Sequence, residues 1–339
     1  MKKIILFITL MLIATATFAD YTFIVPQKPG GGTDLWARTI AQELEKKLGE
    51  KIKINNLPGI NDVPGFNKFH NELQYDDKNV MVAHGGNAES FLVQNVDYDY
   101  FDYEPIALQN LTIMVGKRND HNHLENVKFA AGSGMNPDAM AITMLICGPK
   151  NSLLEYKQCF DQKFIYVKGM SGGERRLAYM RGELNVTREN PLAYKKHAEK
   201  IKENVNWFSH GVMNIDTLEI INDANFPNLS FVEVYKNLWK EEPKGDFYHA
   251  YILSKSYRDV LQKSLWVRKD NSNVNKLITA FNDMINDDEA MNRIYEKTGK
   301  YDFIVGKKIE PLLVSLQTLK DENNLMNLKW IIKNMLHVN

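Results

Sequence analysis

The hydrophobic pattern of this chain alternates short apolar runs with longer segments of helical periodicity. Residues 21–25 are aromatic and β-branched, which predicts a strand. In the segment that follows, apolar residues recur at helical spacing: Leu35, Trp36, Ile40, Leu44 and Leu48. Lys46, Lys47 and Gly49 then indicate the end of a helix. This order of strand, loop and helix repeats along the chain, which predicts an α/β fold with largely parallel sheets.

The remaining elements follow from the same two periodicities. Further strands are predicted at 51–54, 80–83, 106–116, 129–131, 164–167 and 229–234. Further helices are predicted at 88–93, 174–182, 273–286, 288–297, 312–319 and 325–336. A chain of 339 residues exceeds what one hydrophobic core usually serves. We therefore expect two domains, one formed by 20–111 plus 247–339 and the other by 112–246.

The loop after the first strand has the composition of an anion-binding loop. Three consecutive glycines lie between the strand and the helix. Glycines let backbone amides approach a ligand, and the helix start adds unpaired N–H donors and a partial positive charge. The loop lacks the spacing of the phosphate-binding motifs, so a carboxylate is the favoured ligand. The candidate contacts are Gln27, Lys28, Gly30, Gly31, Gly32, Thr33 and Asp34. Either of the last two can cap the helix.

Three later loops repeat the junction of strand, glycine loop and helix. In open α/β sheets, ligands gather beyond the carboxyl ends of the strands, so we expect these loops to face one cleft. The candidate contacts are His84, Gly85, Gly86 and Asn87 in the first of them, Ser133, Gly134, Met135 and Asn136 in the second, and Lys168, Gly169, Met170 and Ser171 in the third.

The last loop also spells Gly-x-Ser-x-Gly, the nucleophile-elbow pattern of serine hydrolases. His197, His210 and His249 follow it in the order that those enzymes use. Such short patterns also arise by chance in glycine-rich turns, and the same turn serves a binding cleft without any chemistry. We therefore expect a protein that is not an enzyme, with an exported serine hydrolase using Ser171 as the alternative.

The first residues have the three parts of a secretory signal peptide. A basic start at Lys2 and Lys3 precedes an uncharged apolar run that reaches Ala16, and small residues follow. We expect cleavage after Ala19 and export to the periplasm. The alternative is a retained membrane anchor, but the apolar run is shorter than the roughly 20 residues that a spanning helix needs.

Composition limits the classes of partner. The formal net charge is +0 and the pI is about 7.1, which argues against nucleic acid and membrane surfaces as partners. His121 and His123 lack the further ligands of a metal site, so neither a metal nor a cofactor is expected. Cys147 and Cys159 are the two cysteines of the chain, and both a disulfide and two free thiols are compatible with the sequence.

With these motifs in place, the chain resembles the periplasmic substrate-binding proteins of tripartite tricarboxylate transporters, the Bug family. The matching positions are Val25-Pro26, Pro29-Gly30-Gly31, Thr33-Asp34 and Ala37-Arg38, then Asn56, Pro58 and Gly59, and then Gly132, Gly134 and Pro137. The resemblance implies a monomeric, two-lobe binding protein, type II, with a mixed, mainly parallel sheet in each lobe. It also implies a small organic acid as ligand, held largely by backbone amides and waters. The membrane permease subunits of a secondary transporter are the implied partners.

The chain departs from the family pattern at several expected ligand contacts. Met135 and Asn136 replace an expected Thr-Ser pair, which removes a hydroxyl. Arg188, Glu189 and Asn190 stand where an acidic residue is often found. Arg188 is therefore either an additional partner for a carboxylate or an exposed surface residue. A periplasmic sensor of the same ligand remains an alternative to a transport protein.

Overall fold

The computed structural model describes residues 20–59, 62–118, 126–131, 137–214, 217 and 219–336. Its strands are β1 Tyr21–Val25, β2 Ile52–Asn56, β3 Asn79–Ala83, β4 Tyr103–Gln109, β5 Met114–Arg118, β6 Val127–Ala131, β7 Phe164–Lys168, β8 Val186–Glu189, β9 Asn204–Ser209, β10 Val212–Met213, β11 Ile220–Ile221, β12 Ser264–Arg268 and β13 Phe303–Val305. Its helices are α1 Gly32–Leu48, α2 Val63–Asn71, α3 Gly85–Val93, α4 Pro137–Cys147, α5 Leu153–Lys163, α6 Gly172–Met180, α7 Pro191–Ala193, α8 Phe231–Trp239, α9 Asp246–Leu261, α10 Val274–Ile285, α11 Asp288–Thr298, α12 Glu310–Leu319 and α13 Glu322–Asn334. None of these helices is both long and apolar enough to cross a lipid bilayer.

One lobe is built on a six-stranded sheet in the order β13-β4-β12-β3-β1-β2. Successive residues of β1 point to opposite faces of this sheet, as strand geometry requires. Phe23 and Val25 pack in a core with α1, α10 and α11, whereas Ile24 packs in a second core with α2, α3 and α9. Both faces of the sheet are therefore covered by helices, which accounts for the nearly continuous apolar character of β1 and β3.

The other lobe contains the antiparallel sheet β8-β5-β9 and the parallel pair β6-β7. Helix α4 lies in its interior, and every residue of α4 is buried. The predicted strand at 106–116 is in fact two strands, because β4 belongs to the six-stranded sheet and β5 belongs to this lobe. The chain therefore passes between the lobes through residues 110–113.

The sheets are mixed, as predicted, but parallel pairing does not dominate them. Strands β1, β2, β3 and β4 run in one direction, which is the result expected from strand-helix-strand units. Strand β12 enters later in the chain and lies between β3 and β4 in the opposite direction, and β13 pairs antiparallel with β4. The prediction of a mainly parallel sheet was wrong because β12 and β13 run opposite to the strands that they pair with.

Helix α9 lies between the lobes and is buried on almost all sides. It packs against α3, α12 and α13 on the side of the six-stranded sheet, and against α4 and α5 on the other side. Its buried residues include Lys255, Arg258 and Asp259, which form ion pairs with one another. Buried charges of this kind persist only when they are paired. Any element that packs against this face of α9 must therefore leave the ion pairs intact or supply new partners for the charges.

The predicted strand at 229–234 is wrong, since this segment begins helix α8. The Ser230 hydroxyl accepts a hydrogen bond from the Glu233 amide at 3.3 Å and caps the helix. Phe231 and Tyr235 are buried four residues apart, which is helical spacing. Both signals are present in the sequence, but the run of Phe231, Val232 and Val234 also fits a strand.

Cys147 and Cys159 form a disulfide that joins the end of α4 to α5, with 6.0 Å between their Cα atoms. The structure thus selects one of the two states that the sequence left open. The bond closes a short loop in the unfolded chain and lowers its conformational entropy.

Reduction of this disulfide is expected to lower the free energy of unfolding by about 2–4 kcal/mol, because the reduced unfolded chain regains loop entropy. Urea unfolding with and without dithiothreitol measures the difference. A variant with Cys147→Ser and Cys159→Ser is the control, and its urea midpoint should not respond to the reductant. Identical midpoints for the oxidised and the reduced native chain would contradict the prediction.

Candidate functional site

The loop between β1 and α1 is held in shape by the Asp34 carboxylate. That carboxylate accepts hydrogen bonds from the Gly30 amide at 2.8 Å, from Arg38 at 2.9 Å and from Asn56 at 2.9 Å. Burial alone would raise the pKa of Asp34, but these donors hold it below its ordinary value. Gly30 has a φ of +80°, which suits glycine. Asp34 therefore has a structural role in the loop, and its carboxylate is occupied by donors of the protein itself.

Helix α1 begins without a side-chain cap, contrary to the expectation for Thr33 and Asp34. Gly31 is the capping residue and has no side chain to accept a hydrogen bond. The Thr33 amide donates to Oε1 of Gln27 at 3.2 Å. The Gly32 amide donates to no acceptor among the described residues, as is usual for the first amide of a helix. One donor of the predicted anion site is thus available.

The second junction lies directly beside the first. Nε2 of Gln27 is 3.1 Å from Nε2 of His84, and Nδ1 of His84 contacts the Asp62 carboxylate. At the start of α3, the Asn87 side chain accepts a hydrogen bond from the His84 amide at 3.0 Å and caps the helix, and Nδ1 of His84 lies 3.1 Å from the Gly86 amide nitrogen. This capping explains why α3 begins at Gly85, three residues before the predicted start.

A buried lysine that the sequence did not indicate completes this wall of the site. Nζ of Lys263, at the end of α9, donates to Oγ1 of Thr33 at 2.6 Å. Burial lowers the pKa of Lys263 to about 7, although the Asp62 charge opposes the shift. Burial also lowers the pKa of His84, Asp62 opposes it, and the charges of Lys263 and Arg188 lower it further. His84 therefore lies within electrostatic reach of Arg188 from the other lobe.

The third helix start is anchored by a buried carboxylate, that of Asp138 in the first turn of α4. It pairs with Arg258 at 2.9 Å, with Arg188 at 3.2 Å and with Nε2 of His210 at 2.6 Å. Burial would raise the pKa of Asp138, but the two arginines hold it far below its ordinary value. Burial lowers the pKa of His210, so the ring is neutral and its Nδ1 accepts from Tyr251 at 2.8 Å.

Helix α6, at the fourth junction, begins with a capping box. The Ser171 hydroxyl accepts from the Glu174 amide, and the Ser171 amide donates to the Glu174 carboxylate at 2.6 Å. Among the described residues, no hydrogen bond joins Ser171 to a histidine, and the ring nitrogens of His210 are both occupied by other partners. Ser171 thus has a structural role at the helix start, without the base that a nucleophile needs.

The junctions of the two lobes face each other. A Cβ placed on Gly32 would lie 3.9 Å from Nδ2 of Asn190, which follows β8. Hydrogen bonds from Ser171 lower the pKa of Glu174, and the charge of Lys28 lowers it further. The first loop of one lobe therefore lies opposite both α6 and the end of β8 in the other.

The predicted contacts fall into three groups. Gln27, Lys28, Gly32, His84 and Arg188 border the space between the lobes. Lys168, Gly169 and Met170 line an open depression of about 360 Å³ beside α6, together with Leu177 and Arg181. The remaining residues either support the loops or lie outside the described part of the chain. The supporting residues are Gly30, Gly31, Thr33, Asp34, Gly85, Gly86, Asn87 and Ser171, and the undescribed ones are Ser133, Gly134, Met135 and Asn136.

Sequence analysis missed Arg175, in the first turn of α6. Burial lowers its pKa to about 10, and the nearby charge of Arg188 is the next largest cause. Two adjacent arginines after a capping signal are the sequence feature that could have drawn attention to it. Within the described residues, no group of three or more His, Cys, Asp or Glu side chains is arranged to hold a metal ion.

Asp138→Asn is expected to lower the free energy of unfolding by about 3–5 kcal/mol, because it leaves Arg258 and Arg188 without their shared carboxylate. Since the folded-state pKa of Asp138 is depressed, its contribution is present above the unfolded-state pKa of about 4 and is lost as the pH falls below it.

Urea unfolding at pH 7 and pH 3 tests both statements about Asp138. The variant should lose part of the acid sensitivity of the native chain. Asp270→Asn is the control, since it removes a carboxylate that pairs with Arg268 at the surface, and it should change stability by less than about 1 kcal/mol. An unchanged urea midpoint in Asp138→Asn would refute the role given to this carboxylate.

Comparison with known proteins identifies solved structures that share this fold. No protein-family profile and no curated protein sequence matches the chain. The solved structure of the periplasmic binding protein BugD aligns with a TM-score of 0.59 at 15% identity, over 91% of this chain and 96% of BugD. MatC from Rhodopseudomonas palustris with bound malate aligns with a TM-score of 0.57 at 15% identity, over 92% of this chain and 98% of MatC.

A TctC solute-binding protein from Polaromonas aligns equally well, with a TM-score of 0.57 at 14% identity, over 91% of this chain and 98% of that protein. At these identities the likeness establishes the fold. It confirms, at that level, the resemblance drawn from the glycine loops. The chain has the two-lobe α/β fold of periplasmic solute-binding proteins of the Bug and TctC type.

Proposed function

We propose that this chain is a periplasmic solute-binding protein, not an enzyme, that captures a small carboxylated metabolite between its lobes. In this proposal one lobe comprises 20–111 plus 247–339 and the other comprises 112–246. The protein is exported by a signal peptide that is cleaved after Ala19. The monomer delivers its ligand to the membrane subunits of a tripartite tricarboxylate-type transporter. The observation that carries the proposal is that junction residues of both lobes face one space, with Gly32 opposite Asn190 and Lys28 opposite Glu174.

The chemistry of that space favours an organic anion. The start of α1 offers the Gly32 amide together with the positive end of the helix dipole. Lys28, Arg188 and Arg175 add positive charge around the same space. Malate in the MatC structure shows that a protein of this fold accommodates a dicarboxylate. Closure on such a ligand requires contacts with both lobes that the open form does not make.

A panel of acetate, succinate, malate, adipate and citrate is expected to contain a compound that raises the melting temperature of the protein by mass action. Differential scanning fluorimetry identifies the compound, and isothermal titration calorimetry measures its dissociation constant. Glycerol and glucose, at equal concentration, are the neutral controls. A panel in which no carboxylate shifts the melting temperature would refute the proposed function.

Gly32→Leu is expected to weaken binding of the best panel compound by about 10- to 100-fold, because the new side chain fills the space next to Asn190. Gln42→Leu places the same side chain on an exposed position of α1 and is the control. Calorimetry of both variants gives the comparison. Equal affinities for Gly32→Leu and the control would show that the ligand does not approach the start of α1.

A serine-reactive fluorophosphonate is expected to leave Ser171 unlabelled, because its hydroxyl caps α6 and has no histidine base. Mass spectrometry of the treated protein measures the labelling, with a known serine hydrolase as the positive control. Stoichiometric labelling of Ser171 would favour the hydrolase alternative.

A further inference from the structure

Two arginines of the second lobe, Arg175 in α6 and Arg188 in β8, have guanidinium donors that the described residues do not use. The two elements pack together, and their neighbouring residues Arg176 and Glu189 are joined by a hydrogen bond of 2.6 Å. Nε of Arg175 is buried and has no hydrogen-bond partner among the described residues, and its Nη1 donates to the Met170 carbonyl at 3.3 Å. Arg188 contacts Asp138 through Nε, and its terminal nitrogens meet no acceptor among the described residues. Burial lowers the pKa of Arg175, and the nearby charge of Arg188 lowers it further.

The neighbouring carboxylates are already committed to other cations. Glu189 binds Arg176 through two hydrogen bonds, at 2.6 and 3.0 Å. Asp138 is shared between Arg258, Arg188 and His210. The charges of Glu189 and Asp138 stabilise Arg175 through space. The described residues nevertheless give Arg175 no hydrogen bond or ion pair to a carboxylate of its own.

A guanidinium without a carboxylate partner of its own is unfavourable in a partly buried site, and Arg175 is in this state near a second cation, Arg188. An anion that accepts hydrogen bonds from both would stabilise the arrangement. The fork geometry of guanidinium groups matches the two oxygens of a carboxylate. Tyr166 lies beside the same place, since the charges of Arg188 and Arg175 both act on its hydroxyl.

We propose that Arg175 and Arg188 form a side-chain seat for one carboxylate of the bound solute, and that this seat determines the charge specificity of the cleft. This inference rests on the proposed function, because it assumes that the solute enters between the lobes. It differs from what the sequence resemblance implies, namely that backbone amides and waters make most of the contacts.

The test compares variants of Arg175, which lacks the buried ion pair of Arg188. Arg175→Gln is expected to weaken binding of the best panel compound by about 10- to 100-fold, because hydrogen bonds to a charged group are lost. Arg175→Lys should restore part of the affinity, since it keeps the charge but not the fork. Arg293→Gln removes the same charge from α11, where Arg293 pairs with Glu43 and Glu289 outside the predicted contacts, and should bind like the native chain.

A second measurement separates a loss of charge specificity from a general loss of ligand binding. If the best panel compound is a dicarboxylate, replacing one of its carboxylates by an amide should weaken binding to the native chain, and this discrimination should shrink in Arg175→Gln. Inorganic phosphate is included as a probe. Phosphate that binds in an Arg175-dependent way, in place of any carboxylate, would overturn the carboxylate assignment.

Protection from phenylglyoxal tests the native chain without any substitution. The best panel compound should shield Arg175 and Arg188 from modification and leave the reactivity of Arg293 unchanged, as mapped by mass spectrometry. Unchanged affinity in Arg175→Gln, or no protection of either arginine, refutes the seat while the proposed function stands. A native chain that binds no carboxylate refutes both.

Discussion

The buried carboxylate of Asp138 is the interaction on which the architecture around the cleft depends. It brings together α4, β8, the segment after β9 and the interlobe helix α9 through Arg188, His210 and Arg258. Burying any one of these charged groups without a partner would cost free energy. Buried together, they offset that cost because they pair with one another. The network extends along α9, where Arg258 also binds Asp259 at 2.9 Å and Asp259 pairs with Lys255. Rearrangement of the lobes must therefore either preserve this network or replace its contacts.

The first lobe prepares its side of the cleft by a different device. Its glycine loop is held by hydrogen bonds within the lobe, from Gly30, Arg38 and Asn56 to Asp34. These bonds fix the backbone before any ligand arrives, so the Gly32 amide needs no rearrangement to act as a donor. The two sides of the cleft thus differ in chemistry: the first lobe presents a backbone amide and a helix dipole beside Lys28, and the second lobe presents the side chains of Arg175 and Arg188.

Much of the fold could be predicted from the sequence because it follows from local patterns. Strand β1, the glycine loop and the end of α1 at Gly49 depend on residues that are close in the chain. The direction of β12 and β13 could not be predicted, because strand order depends on contacts between distant segments. Helix α8 was misassigned as a strand because its first residues fit both the two-residue period of a strand and the 3.6-residue period of a helix.

Some residues that border the space between the lobes were predictable because they belong to a recognisable glycine loop, as Gln27, Lys28 and His84 do. Arg188 was predicted from the family pattern, and its role as a ligand contact stays a prediction. Lys263 could not be predicted, because it reaches Thr33 from 230 residues later in the chain. Arg258 meets Asp138 over a separation of 120 residues. His210 was considered only as a partner for Ser171, whereas the structure commits it to Asp138 and Tyr251.

The repulsion between Arg175 and Arg188 gives ligand binding a physical role in closure. As the lobes approach, water leaves the cleft and the interaction between the two cations strengthens, since it is less well screened. An anion between them converts this penalty into attraction, and a neutral solute of the same shape does not. The free energy that distinguishes a closed, loaded form from a closed, empty one therefore includes the charge of the solute itself. A ligand shifts such an equilibrium only by its difference in affinity for the two states. In the proposed binding mode, the arginine pair would supply that difference on the second lobe and the start of α1 would supply it on the first.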